Sequence, residues 1–491
     1  MREDSRSVFR CLGIMARLLS RNLVLAFFTV VASSPNLSTF LFCGCKGTTK
    51  SEKWKVKSEK SLLIARKSRN FADEMRKQDI EIMAPVGSPE CLAAAIRAGA
   101  DSVYFGIENL NMRAHSASTF TIDDLKRIAE ETRRFGIKSY LTVNTIIYGE
   151  DLELMRTILD AAKAAGISAV IASDVAVMLY CRQIGQEVHL STQLNISNIE
   201  ALRFYAQFAD VVVLARELNM DQVSEIAHSI EENAICGPSG KPVRIEMFCH
   251  GALCMAISGK CYLSQSNWGR SANRGECMQL CRRRYTVQDV ETGTELAVEN
   301  KYIMSPKDLK TIHFIDKMLD AGVRVFKIEG RARGPEYVDT VVRCYREAID
   351  TLLAPEGGEE AFLGRLDEWD ERLARVFNRG FWDGYYLGRT IAEWNDCHGS
   401  KATERKVYCG RTVRYYSKLQ VAEFKIEACE LSVGDHILVT GPTTGALRAT
   451  VSEIRYDLKP VQTAQQGWHI SIPLPTKVRR NDKLFVIKAG T

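Results

Sequence analysis

The stretch EMFCHGALCMAISGKCYLS, residues 246–264, places three cysteines and one histidine within nineteen positions. With Cys277 and Cys281 downstream, five of the fifteen cysteines of this 491-residue chain fall between residues 249 and 281. Residues of these types serve in metal or cluster binding, in catalysis by a thiolate beside an imidazole, or as buried core thiols. Such clustering in a long chain favours a metal site over a disulfide scaffold.

Four of these cysteines have the spacing C-x6-C-x15-C-x3-C, and they are Cys254, Cys261, Cys277 and Cys281. Four thiolates from one segment can complete a tetrahedral zinc site or hold the corners of a [4Fe–4S] cluster. The spacing lacks the short C-x2-C pairs typical of zinc ribbons, which favours the cluster and keeps zinc as the alternative. Cys249 directly follows a buried-strand pattern, and we interpret it as a core thiol.

The elements that must position this group are short apolar runs that alternate with amphipathic stretches. Eight such runs are EIMAP (81–85), SVYFG (102–106), KSYLTVN (138–144), AVIAS (169–173), EVHLST (187–192), VVVLAR (211–216), VRIEMF (243–248) and RVFKIEG (324–330). This alternation predicts an α/β fold with a parallel sheet, and eight repeats fit a (β/α)8 TIM-like barrel over residues 76–355. The seventh connection, residues 249–305, is a long cysteine-bearing loop. No GxGxxG or P-loop motif follows a run, which excludes dinucleotide and nucleoside-triphosphate binding.

Polar residues at the carboxyl ends of the strands line the active-site mouth of such a barrel. We expect substrate binding by Asn144, Asp174, Gln193, Arg216 and Arg331. We expect catalytic roles for Glu246, His250, Lys327 and Glu329. Each residue taken singly is also explained as a strand-end cap or an ion-pair partner. As a ring at one rim, they indicate a site for an anionic ligand that accepts hydrogen bonds.

The residue types suggest individual roles. Arg216, Lys327 and Arg331 are suited to holding an anionic small molecule or an RNA phosphate. His250 and Glu246 are candidates for proton transfer or for support of the metal ligands. Cys254 with His250 is also the pair that a thiol peptidase would require. The serine and zinc peptidase motifs G-x-S-x-G and H-E-x-x-H are absent from the sequence.

Charge is divided unevenly along the chain, whose net charge is +6. Residues 1–70 carry 14 Lys and Arg against 4 Asp and Glu, residues 401–491 carry 15 against 8, and the central part is therefore acidic. Alternating apolar residues and glycine turns predict a small basic β-barrel at 405–491, after a helical connector at 356–404. We expect this module to dock RNA through Tyr415, Tyr416, Lys418, Arg479 and Arg480. The alternative is a domain that only covers the barrel.

Residues 1–75 have the features of a targeting leader. RNLVLAFFTVVASS (21–34) combines a basic flank with an apolar run, and residues 48–70 are rich in Lys, Arg and Ser. A signal-like segment followed by a transit-like segment predicts import into a plastid, with a mitochondrion as the alternative. The apolar run is too short to span a bilayer, so no stable membrane insertion is expected.

Several motifs together resemble one known family. EMFCHGALCMAISGKCYLS is similar to the defining motif of the U32 peptidases, also called collagenase-like peptidases. Further similar motifs, in the same order, are APVGSPECLAAAIRAGADSVYFG (84–106), LSTQLNISN (190–198), NRGECMQLCRRRY (273–285) and KIEGRARGPEYV (327–338). The resemblance implies hydroxylation of a tRNA wobble uridine, a ribosomal RNA cytidine or a quinone ring. It also implies an iron–sulfur cluster, with Cys254, Cys261, Cys277 and Cys281 as its ligands.

The tail FNRGFWDGYYLG (377–388) and the module after it resemble the subgroup that makes 5-hydroxyuridine in tRNA. This resemblance implies a tRNA substrate and dependence on a prephenate-type small molecule. Two other functions remain open. One is a peptidase that uses a Cys/His or metal site, and the other is a cluster-bearing binding partner of another modification enzyme. The sequence sets no oligomeric state.

Overall fold

The computed structural model describes residues 79–114, 120–286, 288–293, 302, 304–355 and 357–490. The predicted targeting leader, residues 1–75, lies outside the described residues. Among the helices of the described part, none is long and apolar enough to cross a membrane.

The first sheet is parallel except where β8 pairs with β7. In chain order the strands are β1 Glu81–Pro85, β2 Ser102–Phe105, β3 Lys138–Val143, β4 Ala169–Ala172, β5 Val188–Leu190, β6 Val211–Val213, β7 Arg244–Ala252, β8 Asp308–Lys310, β9 Val323–Ile328 and β10 Phe381–Trp382. All but β8 and β10 close into a barrel, because each pairs with the next and β9 pairs with both β1 and β7. The predicted eight-stranded TIM-like barrel is therefore confirmed.

Helices connect the strands and cover the barrel. They are α1 Pro89–Ala98, α2 Asp124–Arg134, α3 Leu152–Ala165, α4 Val175–Ile184, α5 Ile199–Ala206, α6 Met220–Glu232, α7 Leu263–Trp268, α8 Ile315–Asp320, α9 Pro335–Leu352, α10 Gly358–Gly364 and α11 Leu366–Arg375. The sequence encodes their ends locally. In α1, Ser88 caps the first turn by accepting a hydrogen bond from the Cys91 N–H, and Gly99 ends the helix with a left-handed φ of 86°.

The seventh strand is longer than its apolar run predicts. β7 continues to Ala252, so Cys249 and His250 lie inside a strand rather than in the loop after it. Beyond the barrel rim, β7 pairs with the antiparallel β8, where His250 lies opposite Lys310. Because Asp308–Lys310 is held in this pairing, the stretch KDLKTIHFIDKMLDAG (307–322) is α-helical only from Ile315.

Side chains of alternate strand residues fill the barrel interior. A buried cluster of mainly apolar side chains contains Met83, Tyr104, Tyr140, Ile171 and Val325. Because successive side chains of a strand point to opposite faces, residues two apart share a face. Lys327 therefore shares the inward face of β9 with Val325 and lies closer to the rim.

The C-terminal module is a second, antiparallel sheet. Its strands are β11 Glu404–Tyr416, β12 Val421–Ile426, β13 Leu431–Ser432, β14 His436–Gly441, β15 Gly445–Thr450, β16 Ile454–Tyr456, β17 Lys459–Val461, β18 Thr463–Ala464, β19 His469–Pro473 and β20 Lys483–Ala489. Eight of them pair in the order β15-β14-β20-β11-β12-β19-β16-β17, and β13 pairs with β18. The predicted β module is thus present as an antiparallel sheet with its own apolar core.

The module packs directly on the barrel through α1. The Arg97 guanidinium donates to the Thr443 carbonyl at 3.2 Å, and Lys406 forms an ion pair with Glu336 at 2.7 Å. A Cβ at Gly445 would lie 2.8 Å from the backbone nitrogen of Ala94, so a larger residue there would collide with the helix. Glycine at this position lets β15 approach α1 closely.

Candidate active site

A cavity of about 250 Å³ opens at the carboxyl ends of the barrel strands, and the four predicted ligand cysteines line it. Seven Arg and Lys side chains also line it, and they are Arg113, Arg216, Arg282, Lys327, Arg331, Arg333 and Arg379. Glu329 is the single acidic residue among the lining residues. A concave site with this excess of cationic groups is suited to an anionic ligand.

Arg331 is held rigidly in the wall of the cavity. Its Nη1 donates to Thr142 Oγ1 at 2.8 Å and to Asn111 Oδ1 at 3.1 Å, and its guanidinium lies 5.8 Å from the centre of the Tyr104 ring. The side chain is buried, and burial lowers the pKa of the guanidinium from its usual value. A fixed guanidinium of this kind presents its hydrogen-bond donors in one orientation.

Glu329 is fixed between cationic groups. Its Oε1 forms an ion pair with Arg113 at 3.0 Å, and its Oε2 accepts a hydrogen bond from the Tyr104 hydroxyl at 3.2 Å. Burial alone raises the pKa of Glu329, but Arg113 and Arg331 more than offset this and hold it below its usual value. The carboxylate therefore stays ionised at neutral pH and orients Arg113.

Lys327 and Glu246 form a buried ion pair inside the barrel. The Lys327 ammonium lies 2.6 Å from Glu246 Oε1, and Glu246 is fully buried. The same ammonium lies 4.7 Å from the centre of the Tyr104 ring and 5.6 Å from that of Phe248. Lys327 lines the cavity and Glu246 lies beneath it, so Glu246 positions the lysine rather than contacting a ligand directly.

A chain of polar groups continues from this pair through the barrel. Glu246 Oε2 and His189 Nδ1 are 4.0 Å apart, and each is buried without a hydrogen-bond partner among the described residues. On its other side the His189 ring contacts Glu187 at 3.2 Å and lies 4.4 Å from the Tyr140 ring. Glu187 is half exposed, so the chain reaches solvent away from the cavity. The sequence pattern gave no sign of His189.

His250 does not line the cavity. Its ring is 1% exposed and packs against Tyr337, Tyr345 and Phe381, with ring centres 5.4 to 6.0 Å apart. Burial and, to a smaller extent, the charge of Lys310 together lower the pKa of His250 to about 3. His250 is therefore neutral at physiological pH and part of the core, whereas the sequence suggested a side chain facing the cavity.

We expect His250 to make stability depend on pH. Between its unfolded pKa near 6.5 and its folded pKa of about 3, only the unfolded state binds a proton, so stability falls as pH decreases. In the His250→Gln variant, the decrease in the free energy of unfolding per pH unit should be smaller by about 1.4 kcal/mol. Denaturant titrations of both proteins between pH 6.5 and 4.5 measure the difference, because carboxylates that take up protons in this range, such as Asp320 with a pKa of about 6, contribute equally to both slopes. Equal slopes in both proteins would contradict the assignment.

Asp174, like Glu246 and His250, is a predicted site residue that does not line the cavity. Its Oδ1 accepts a hydrogen bond from the Ala176 N–H at 2.9 Å and caps α4. Its Oδ2 accepts from the Ile147 N–H at 3.0 Å. The carboxylate thus ties the loop after β3 to the start of α4, which is a structural role.

Asn144, Gln193 and Arg216 line the cavity as expected, and they anchor the cysteine-bearing loop. Asn144 Nδ2 donates to Gln193 Oε1 at 3.4 Å, and Arg216 Nη2 donates to Ser258 Oγ at 2.9 Å. A Cβ at Gly259 would lie 2.8 Å from Gln193 Cγ, so the loop passes directly over Gln193. These contacts bring the loop against the barrel mouth.

Three further arginines line the cavity, and they differ in whether the sequence contained a signal for them. Arg282 directly follows Cys281, and its guanidinium donates to the Leu253 carbonyl at 2.6 Å and to Ser305 Oγ at 3.0 Å. Its position in the CRRRY stretch was a signal that could have identified it. Arg113, in the loop after β2, has no such signal. Arg379 lies in the motif FNRGFWDGYYLG, but only folding brings it to the cavity.

The four cysteines are free thiols around one cavity. Burial raises the pKa of the Cys281 thiol, Arg282 lowers it, and the other three cysteines raise it, so the four groups are near enough to interact. By residue type, four thiols with Arg113 and Arg282 beside them suit a thiolate-ligated cluster, because the guanidinium groups would offset its negative charge, but their arrangement in this structure is not that of a metal site. Among the described residues, no group of three or more His, Cys, Asp or Glu side chains is arranged to hold a metal ion.

The residues predicted to dock RNA in the C-terminal module are only partly available. The Tyr415 hydroxyl donates to the Leu474 carbonyl at 2.9 Å, so this ring is held inside the module. Tyr416 is exposed, and the Arg414 guanidinium lies 5.2 Å from the centre of its ring.

Comparison with known proteins identifies relatives of the chain. It is 66% identical over 411 residues to a collagenase of Porphyromonas gingivalis, covering 84% of this chain and 98% of that protein. It is 35% identical over 315 residues to a tRNA hydroxylation protein of Bacillus subtilis, covering 63% of this chain and 71% of that protein. It is 34% identical over 314 residues to a 23S rRNA 5-hydroxycytidine synthase of Escherichia coli, covering 63% of this chain and 46% of that protein.

Similarity is thus higher to the collagenase-named protein than to these two RNA-modification proteins, whereas the tail motif indicated the tRNA subgroup. The model of peptidase family U32 matches residues 87–396, which include all eight strands of the barrel except β1 and all four cavity cysteines. The chain belongs to peptidase family U32.

Proposed function

We propose that this protein is an iron–sulfur RNA-modifying enzyme that hydroxylates the wobble uridine of tRNA to 5-hydroxyuridine. The observation that carries the proposal is the cavity itself, where four free thiols and seven cationic side chains face one another. Two relatives that are about a third identical are named for RNA hydroxylation. When bound by Cys254, Cys261, Cys277 and Cys281, a [4Fe–4S] cluster would supply electron-transfer or Lewis-acid chemistry.

The other residues of the cavity have binding roles in this proposal. Arg216, Lys327 and Arg331 hold the carboxylate of a prephenate-type small molecule or a phosphate of the RNA, because guanidinium and ammonium groups donate several hydrogen bonds to such anions. Glu329 orients Arg113, and Glu246 orients Lys327. A uracil base reaches the cavity only when it is turned out of its stack, which the single-stranded anticodon loop permits at low cost.

The geometry gives little support to a thiol peptidase. Such an enzyme needs a cysteine within hydrogen-bonding reach of a histidine base. Cys254 is exposed at the cavity, whereas His250 is enclosed by aromatic rings and has a pKa of about 3. The support for a peptidase is the name of the collagenase relative.

Nucleoside analysis of RNA from a depleted strain tests the function. We expect 5-hydroxyuridine to disappear from tRNA on depletion and to return with the wild-type gene. It should also return with Arg203→Leu, an exposed arginine on α5, but not with Arg331→Leu, because the cavity then lacks its fixed guanidinium. Thermal unfolding and Arg331→Lys show whether the loss comes from misfolding.

Other outcomes point to the alternatives. Unchanged tRNA nucleosides together with gelatin cleavage by the purified protein would establish the peptidase and contradict the hydroxylase. If the modification is lost in cells but the purified protein binds no RNA, the chain acts as a partner of another enzyme.

A further inference from the structure

An exposed apolar surface covers the outer side of residues 254–285, which we name the cysteine segment. Four large apolar side chains of this segment that do not line the cavity are exposed, and they are Met255, Tyr262, Trp268 and Met278. Tyr262 is 68% exposed and Trp268 is 55% exposed. Single exposed apolar residues are common, but a group of this size within one short segment marks an interaction site.

The same segment is strongly basic. It contains six Lys and Arg against one Glu, although the central part of the chain as a whole is acidic. The Arg283 guanidinium lies 5.7 Å from the centre of the Trp268 ring. Where the segment meets the loop after β3, the Arg274 guanidinium lies 4.1 Å from the ring of Tyr148, which is half exposed. Aromatic rings and cations therefore alternate across this surface.

The segment is anchored to the barrel and directly adjoins the cavity. Arg274 forms an ion pair with Asp151, and the Ile146 N–H donates to the Asn273 carbonyl at 3.3 Å, which fixes the segment on the loop after β3. The other side of the segment lines the cavity through Cys261 and Cys277. A polymer ligand bound on the outer side of the segment could therefore place one of its monomers in the cavity.

We propose that the outer side of the cysteine segment, together with Tyr148, is the docking surface for single-stranded RNA, with bases stacked on Trp268 and Tyr262. This inference rests on the proposed function and assigns its substrate a location. Bases stack on aromatic side chains, and neighbouring Arg and Lys neutralise the phosphates between them. A neutral or cationic peptide would gain nothing from the positive charge, so the charge favours RNA as the occupant.

Binding of a short single-stranded RNA to the full chain tests the proposal. We expect Trp268→Ala to weaken binding roughly tenfold and the double variant Trp268→Ala/Tyr262→Ala to weaken it further, because each substitution removes one stacking platform. The matched control is Phe204→Ala on α5, where an aromatic ring 57% exposed is removed away from the cavity. Arg270→Ala/Arg283→Ala should reduce the dependence of affinity on salt.

Three results would overturn the proposal. The first is unchanged RNA affinity in the double variant. The second is loss of affinity only in a comparison variant of the C-terminal module, Arg479→Ala/Arg480→Ala. The third is a loss of gelatin binding, with RNA binding intact, in the double variant, since the surface would then belong to a protein ligand. Nucleoside analysis is independent of these measurements, so failure of the docking surface and failure of the hydroxylase are distinguishable.

Discussion

Replacing Cys277 with alanine is expected to abolish assembly of the proposed iron–sulfur cluster. The wild-type protein, purified without oxygen, should contain about four irons and four sulfides per chain, and Cys277→Ala should contain almost none. Cys277 lines the cavity with the other three cysteines, and in the proposed cluster each of the four irons would be bound by one of these thiolates. Iron and sulfide analysis with an absorption spectrum measures the difference.

Two other cysteines serve as controls for this experiment. Cys236→Ala removes an exposed thiol outside the cavity, and Cys249→Ala removes a buried thiol inside β7. Both variants should keep their iron, although Cys249→Ala should unfold more easily because it leaves a cavity in the core. One zinc and no iron in the wild-type protein would contradict the cluster. A metal-free protein that cleaves gelatin would restore the thiol peptidase.

The second large effect is expected from Glu246→Gln, which leaves the buried Lys327 ammonium without its counter-ion. Breaking a buried ion pair on one side costs about 3–5 kcal/mol, so the free energy of unfolding should fall by that amount. The orientation of Lys327 in the cavity should be lost as well, since Glu246 Oε1 lies 2.6 Å from it. Denaturant unfolding measures the free energy of unfolding. The affinity for a dicarboxylate shows whether the cavity still binds anions.

A double variant separates stability from ligand binding. Glu246→Gln/Lys327→Met removes both charges, and we expect it to recover most of the stability but not anion binding. The matched surface control is Glu371→Gln, whose exposed pair with Arg375 at 2.6 Å should contribute less than about 1 kcal/mol. Equal effects of Glu246→Gln and Glu371→Gln would show that the buried pair has no special importance.

The barrel and much of the cavity could be predicted because their signals are local in the chain. Each strand appears as a short apolar run, and the order of the runs leads to a parallel closed sheet. The carboxyl ends of parallel strands meet at one rim, so Asn144, Gln193, Arg216 and Arg331 could be placed together without coordinates. The spacing of the cysteines likewise predicted that they share one site, and all four line the cavity.

The predictions that failed depended on residues distant in sequence. His250 was expected among the catalytic residues at the rim, but β8 pairs with the end of β7, and Tyr337, Tyr345 and Phe381 cover the His250 ring. Asp174 stands at a strand end like the binding residues, yet nearby backbone N–H groups engage its carboxylate. A position at the end of a strand predicts that the residue lies at the rim of the barrel, but it does not predict whether the side chain points into the cavity.

The sequence by itself determined the barrel, the group of cysteines and the cationic rim, since periodicity and spacing along the chain encode them. Only the tertiary structure decided that Arg113 pairs with Glu329 in the cavity and that His189 lies beneath Glu246. It also decided which side of the cysteine segment faces solvent. The physical reason is that burial, pKa and ion pairing depend on which distant segments exclude water from a side chain.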